Sequence, residues 1–168
     1  MGVALQLSKE EYMLDLNIPG CKNLKVEKIV FDLNGTLACD GKLIAGVKES
    51  INRLSEEFEI YILTADTLGN AESLLRDLKA EVVIIEGNDG SKFKADFVEK
   101  LGRKRVIAVG NGNNDAQMLK NAELGIAIIG PEGTARAALL GAELISREIN
   151  DVFDLIFNPD RIKATLRK

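Results

Sequence analysis

The run Asp32-Leu33-Asn34-Gly35-Thr36 combines a carboxylate, a glycine and a hydroxyl within five positions. Asp32 at the end of a strand would sit as a nucleophile under exposed backbone N–H groups. Gly35 lets the backbone approach an oxyanion closely, and the Gly35 and Thr36 amides can hold phosphate oxygens. Alone, this pattern is as compatible with an ordinary turn. Three other clusters have the same character. Thr64-Ala65-Asp66-Thr67 puts a hydroxyl and free N–H groups ahead of a helix, which makes either a phosphate seat or a helix cap. Lys92 and Lys94 stand in the first turn of a helix, where a cation opposes the dipole, so each either neutralises an anion or is simply solvated. Gly110 to Asp115, "GNGNND", offers Asn111 and Asp115 oxygens to Mg²⁺, while Asn114 and Asp115 could equally be caps.

The chain has no histidine. That removes the usual general base, the usual zinc ligand and every Ser-His-Asp or Cys-His arrangement. Chemistry here must run on carboxylates, lysine, threonine, amides and a hard metal.

The elements that would position these clusters alternate along the chain. Residues 28–33, 59–63, 81–85, 105–110, 124–130 and 142–145 read as short strands buried on both faces. Residues 47–58, 68–80, 91–102, 114–122 and 132–142 carry apolar side chains at helical spacing. Such alternation predicts an α/β fold, a doubly wound parallel sheet with right-handed crossovers. Ligands in such folds bind beyond the carboxyl ends of the strands, where all four clusters fall. "VALQL" and "YMLDLNIPG", within residues 1–25, read as extended pieces ahead of a core spanning 26–147, and could add an antiparallel edge. Residues 148–168 read as a C-terminal helix and a basic tail, solvated rather than partner-binding.

At 168 residues the expectation is a single domain with a real core. A net charge of −4 and a pI near 5.1 argue against nucleic acid as a partner. No apolar run approaches the ~20 residues of a membrane span. The N-terminus lacks a basic leader, and Gln6 stands where a myristoylation signal wants Ser or Thr. Cys21 and Cys39 have no metal-like spacing and suit a reducing compartment, so a cytoplasmic location is expected.

Taken jointly, these motifs resemble the haloacid dehalogenase superfamily of phosphotransferases. Within it the chain is similar to the phosphorylation domain of P-type ATPases and, more closely, to the stand-alone soluble P-type ATPase-like group. The match runs from about Leu24 to Leu144, and "LDLNIPG" and "NPDRIKATLR" extend it over nearly the whole chain. The resemblance implies that Asp32 accepts phosphate as an aspartyl-phosphate and that Thr64 binds the transferred group. Lys94, rather than Lys92, would neutralise its charge, because "KADFVEKL" matches the pattern after the family lysine. Asp32, the Asn34 carbonyl, Asn111 and Asp115 would hold Mg²⁺. Gly35, Thr36, Ala65 and Asn114 would line the phosphate.

Only 32 positions separate Asp32 from Thr64, so neither the nucleotide-binding insert of the ATPases nor any cap domain fits. The site should be open, which by the resemblance suggests a macromolecular phosphorylated substrate, or a homo-oligomer whose neighbour serves as the lid.

Two family acids are amides here, Asn34 and Asn111. The residue at the first position acts in hydrolytic members as general acid and then base. Such help is worth ~10²–10⁴ in rate, so Asn34 predicts slow hydrolysis. Asn111 can still ligate Mg²⁺ but brings no charge, so metal binding should be weak until phosphate arrives. Asn34-Gly35 and Asn111-Gly112 are also deamidation-prone dipeptides, and deamidation would regenerate both acids. The leading expectation is a slow Mg²⁺-dependent phosphatase or phosphotransferase. The alternatives are a non-catalytic phosphate- or partner-binding protein on the same scaffold, and a capless sugar-phosphate phosphatase, against which Asn34 argues.

Overall fold

The computed structural model describes residues 14–66 and 69–168; the expected extended piece "VALQL" lies outside them. Leu14–Ile18 (β1) and Lys22–Val26 (β2) form an antiparallel hairpin around Pro19-Gly20. Then follow Lys28–Asp32 (β3), the two-residue strands Ala38–Cys39 (β4) and Lys42–Leu43 (β5), Val47–Leu54 (α1), Glu59–Thr64 (β6), Ala71–Leu75 (α2), Glu81–Ile84 (β7) and Gly90–Lys100 (α3). The chain continues through Val106–Gly110 (β8), Ala116–Asn121 (α4), Leu124–Ile128 (β9), Arg136–Gly141 (α5), Leu144–Ser146 (β10), Ile149–Phe157 (α6) and Asp160–Leu166 (α7).

Six of the strands make one parallel sheet in the order β10-β9-β8-β3-β6-β7. The α/β, doubly wound reading therefore holds. The two-residue period of the strands sorts their side chains onto the two faces. Ile29, Phe31, Ile60, Ile62, Ile107 and Val109 meet α1, α2, α6 and the hairpin on one face. Val30, Tyr61, Leu63, Val106 and Ala108 meet α3, α4 and α5 on the other. After β3 the chain winds outward to β7, then returns to place β8 on the other side of β3. The crevice between β3 and β8 is the topological switch point, where an open α/β sheet presents its ligand site.

Four expectations need correction. The strands are not all buried on both faces: at the sheet's two edges, Ile84 and Ile145 are 45% and 53% exposed. An edge strand lacks a neighbour on one side, so helices cover it incompletely. The N-terminal hairpin is antiparallel but does not extend the central sheet; it forms a separate two-stranded sheet packed on the core through Leu16, Ile18, Leu24 and Val26. Nor is the tail a solvated arm. Ile162 of α7 is fully buried, and the Lys168 N–H donates to the Pro19 carbonyl at 3.1 Å. The helices at 47–58, 68–80 and 132–142 are shorter than their apolar spacing suggested. The last begins only at Arg136 because Gly130 and Gly133 hold left-handed φ values of 55° and 81°.

Candidate active site

Six of the seven buried polar or charged residues among those described lie at the switch point: Asp32, Thr36, Thr64, Lys94, Asn111 and Asp115. Burying so many polar groups costs free energy unless each is partnered. Each is.

Asp32 ends β3, with one carboxylate oxygen facing Lys94 and the other Thr36. Lys94 Nζ lies 2.6 Å from Asp32 Oδ1 and 2.7 Å from Asp115 Oδ1, and is 1% exposed. Thr36 Oγ1 stands 3.2 Å from Asp32 Oδ2 and 3.3 Å from Asn111 Oδ1, so its single proton is shared between two acceptors. Asp115 Oδ2 accepts the N–H groups of Asn111 (3.0 Å) and Gly112 (2.8 Å). Asp115 therefore both holds the lysine and shapes the turn after β8.

Local sequence accounts for these placements. Asp89 caps α3 by accepting the Lys92 N–H at 3.0 Å. Phe97 of α3 packs edge-on against Tyr61 of β6, with ring centroids 5.5 Å apart. This contact fixes the helix rotation, so Lys94 and Val98, four residues apart, face inward while Lys92 is exposed. Two carboxylates offset the unfavourable dipole at the helix start. Gly35 has φ 79°, and its N–H donates to the Ala38 carbonyl at 2.8 Å while the Thr36 N–H donates to the Leu33 carbonyl at 3.2 Å, so the expectation that these two amides hold phosphate is corrected: the turn itself uses both. A Cβ there would lie 2.4 Å from Asn111 Nδ2, so only glycine lets the two motif loops meet.

The other expected residues differ in burial. Thr64 is buried and its Oγ1 accepts the Asp66 N–H at 3.0 Å, while Ala65 is exposed. Asp66 serves as a cap, accepting the N–H groups of Asn70 and Ala71 at the start of α2. Asn34 is half-buried, in a bridge with Ala38. Asn114 is exposed beside Gly90 at the start of α3.

The buried cluster holds two carboxylates and one ammonium. Burial, and then the Asp115 charge, raise the Asp32 pKa to about 7, against the pull of Lys94 and Thr36. Burial alone would push the Lys94 ammonium down, but the Asp32 and Asp115 charges outweigh it and hold its pKa above the ordinary lysine value.

One part of the site was not foreseen: the loop after β9. Asn111 Nδ2 donates to the Gly133 carbonyl at 3.0 Å, and Glu132 Oε1 accepts the Asp40 N–H at 3.1 Å. Reading 132–142 as helix hid a loop that also follows a core strand and so belonged among the places to search.

A family model described as haloacid dehalogenase-like hydrolase matches residues 1–123. The chain belongs to that family. An uncharacterised protein of Methanocaldococcus jannaschii is 50% identical over 78 residues, covering 44% of this chain and 84% of that protein. A probable copper-exporting P-type ATPase of Archaeoglobus fulgidus is 32% identical over 128 residues, covering 75% of this chain but only 15% of the pump. Among solved structures, the cobalt-bound deoxy-D-mannose-octulosonate 8-phosphate phosphatase of Haemophilus influenzae superposes with a TM-score of 0.66 at 10% identity, covering 85% of this chain and 90% of that one. The Moraxella catarrhalis 3-deoxy-D-manno-octulosonate 8-phosphate phosphatase, solved with magnesium, phosphate and its sugar acid, gives 0.59 at 18% identity, covering 84% and 94%. At such identities the likeness is one of fold. Among the described residues no helix is long and apolar enough to cross a membrane.

Proposed function

We propose that this hydrolase transfers phosphate through an aspartyl-phosphate on Asp32, and releases it slowly. The observation that carries the reading is Lys94, buried and shared between Asp32 and Asp115 at hydrogen-bond distance. A buried ammonium aimed at a carboxylate suits a nucleophile that gains negative charge as it reacts. The Asp32 carboxylate oxygen attacks phosphorus and the bond to the leaving oxygen breaks. That oxygen takes its proton from solvent, because the Asn34 amide is not acidic enough to give one up. Lys94 balances the charge on the transferred group, and the Thr64 hydroxyl binds it by hydrogen bonding. Water then attacks phosphorus, frees phosphate and restores the carboxylate, without a general base at position 34.

The donor set fits a hard divalent cation: Asp32, Asp115 and Asn111 bring carboxylate and amide oxygens together, and two carboxylates face one ammonium. Asp32 and the Asn34 carbonyl would hold Mg²⁺, with Asn111 and Asp115 behind them. When bound, the ion supplies the positive charge that keeps Asp32 ionised and polarises the phosphoryl oxygens. The site's rim holds the short β4–β5 hairpin and no cap domain between Asp32 and Thr64. This supports a phosphorylated substrate whose bulk stays outside, or a second subunit as lid.

Incubation with acetyl phosphate or p-nitrophenyl phosphate, with and without Mg²⁺, followed by intact mass, tests the reading. One phosphate should appear on the wild type and none on Asp32→Asn. No adduct and no turnover at saturating Mg²⁺ would leave a phosphate-binding scaffold, the reading that the two amides favour.

A further inference from the structure

The loop at residues 129–135 touches the site and the hairpin beside it at three points. Its inner tie is the Asn111 Nδ2 to Gly133 carbonyl bond of 3.0 Å, backed by the Ala135 N–H donating to the Asn111 carbonyl at 2.8 Å. Its outer tie joins Glu132 Oε1 to the N–H of Asp40, which sits in a left-handed turn of φ 50° at the tip of the β4–β5 hairpin. The loop also presses on the nucleophile's own turn, since a Cβ on Gly130 would come 3.2 Å from the Gly35 carbonyl oxygen.

The amide orientation at 111 is forced. A carbonyl only accepts, so the NH₂ must face Gly133, which leaves Oδ1 toward the Thr36 hydroxyl. A carboxylate at 111 would have no proton for that bond and would set two acceptors face to face. The amide thus exchanges a charge for a bond that an acid cannot make.

We infer that Asn111 is a positioning residue that locks the 129–135 loop to Thr36. Glu132 carries the lock on to the hairpin, so loop and hairpin stand as one wall at the mouth of the site. That wall limits the size of the leaving group, a use that rests on the phosphoryl-transfer reading. The lock itself does not.

The test pairs amide hydrogen exchange with kinetics. Glu132→Ala should speed exchange at the Asp40 N–H about tenfold, the equivalent of one lost charged hydrogen bond. It should also move KM for p-nitrophenyl phosphate more than kcat, with little change for the smaller acetyl phosphate. Glu132→Gln, which keeps an oxygen acceptor, should restore both. Asn111→Asp should loosen 129–135 and Asp40 together. Wild-type exchange at Asp40 in Glu132→Ala would overturn the lock. So would Asn111→Asp binding Mg²⁺ more tightly by calorimetry while the loop's exchange stays unchanged, because position 111 would then be a metal position alone. If neither phosphate is turned over, the exchange results still decide the lock, and only the reading on Asp32 falls.

Discussion

Lys94 is the residue on which the cluster depends most. Replacing it by Met leaves Asp32 and Asp115 buried without a counter-charge, a change that typically costs about 3–5 kcal/mol. Urea unfolding of Lys94→Met should show that loss, with part of it regained at acid pH, and phosphate transfer should disappear. Asn34→Asp should act in the opposite direction, raising steady-state turnover by ~10²–10⁴ while leaving the first phosphorylation step less affected. Burst kinetics separate the two steps. The Asn-Gly pairs invite deamidation in sequence, but the structure restrains both. Cyclisation needs the glycine nitrogen, and Gly35 N–H is bonded to the Ala38 carbonyl while Gly112 N–H is bonded to Asp115. Peptide mapping of aged protein should find both sites intact in the folded state and modified only after unfolding.

The turns that carry these residues explain how much could be read in advance. Asp32, Thr64 and the 110–115 turn were legible because each ends a strand whose apolar run is plain, and ligands gather at strand ends. Lys94 could be separated from Lys92 only by its motif match; in the structure the distinction follows from Lys94 sharing a face with Val98. The bonds between loops were not legible. Thr36 meets Asn111 across 75 positions and Asp40 meets Glu132 across 92, and single hydrogen bonds between irregular segments leave no periodic trace. Gly110 marks how tightly the turn after β8 is built, since a Cβ there would lie 2.6 Å from Asp115 Cγ. Gly110→Ala should therefore destabilise the fold by about 1–3 kcal/mol, the usual cost of overpacking, visible as a lower Tm. It should also disturb Lys94 through Asp115.

Taken whole, the molecule stores an electrostatic imbalance at its centre that should set its pH behaviour. The Asp32 pKa stands at about 7 in the fold against an ordinary 3.8, so between those values the folded state keeps a proton that the unfolded chain releases. The contribution of this group to stability is full below about pH 4 and is lost as pH rises through 7. Without metal, Tm should carry that declining component across this window. Asp32→Asn should lack it, and Mg²⁺ should offset it in the wild type. A wild-type slope matching that of Asp32→Asn would remove the imbalance from the account.

The place of β3 between β6 and β8 also governs how the chain must assemble. During synthesis β6 can pair with β3 soon after both emerge, but β8 begins only at Val106. Until then the strand that ends at Asp32 has one flank bare, a row of unpaired backbone groups between apolar side chains on both faces. The central strand of the finished protein is thus an edge strand for much of its birth, and the growing chain is most exposed to sticking to its neighbours while its future active site is half built.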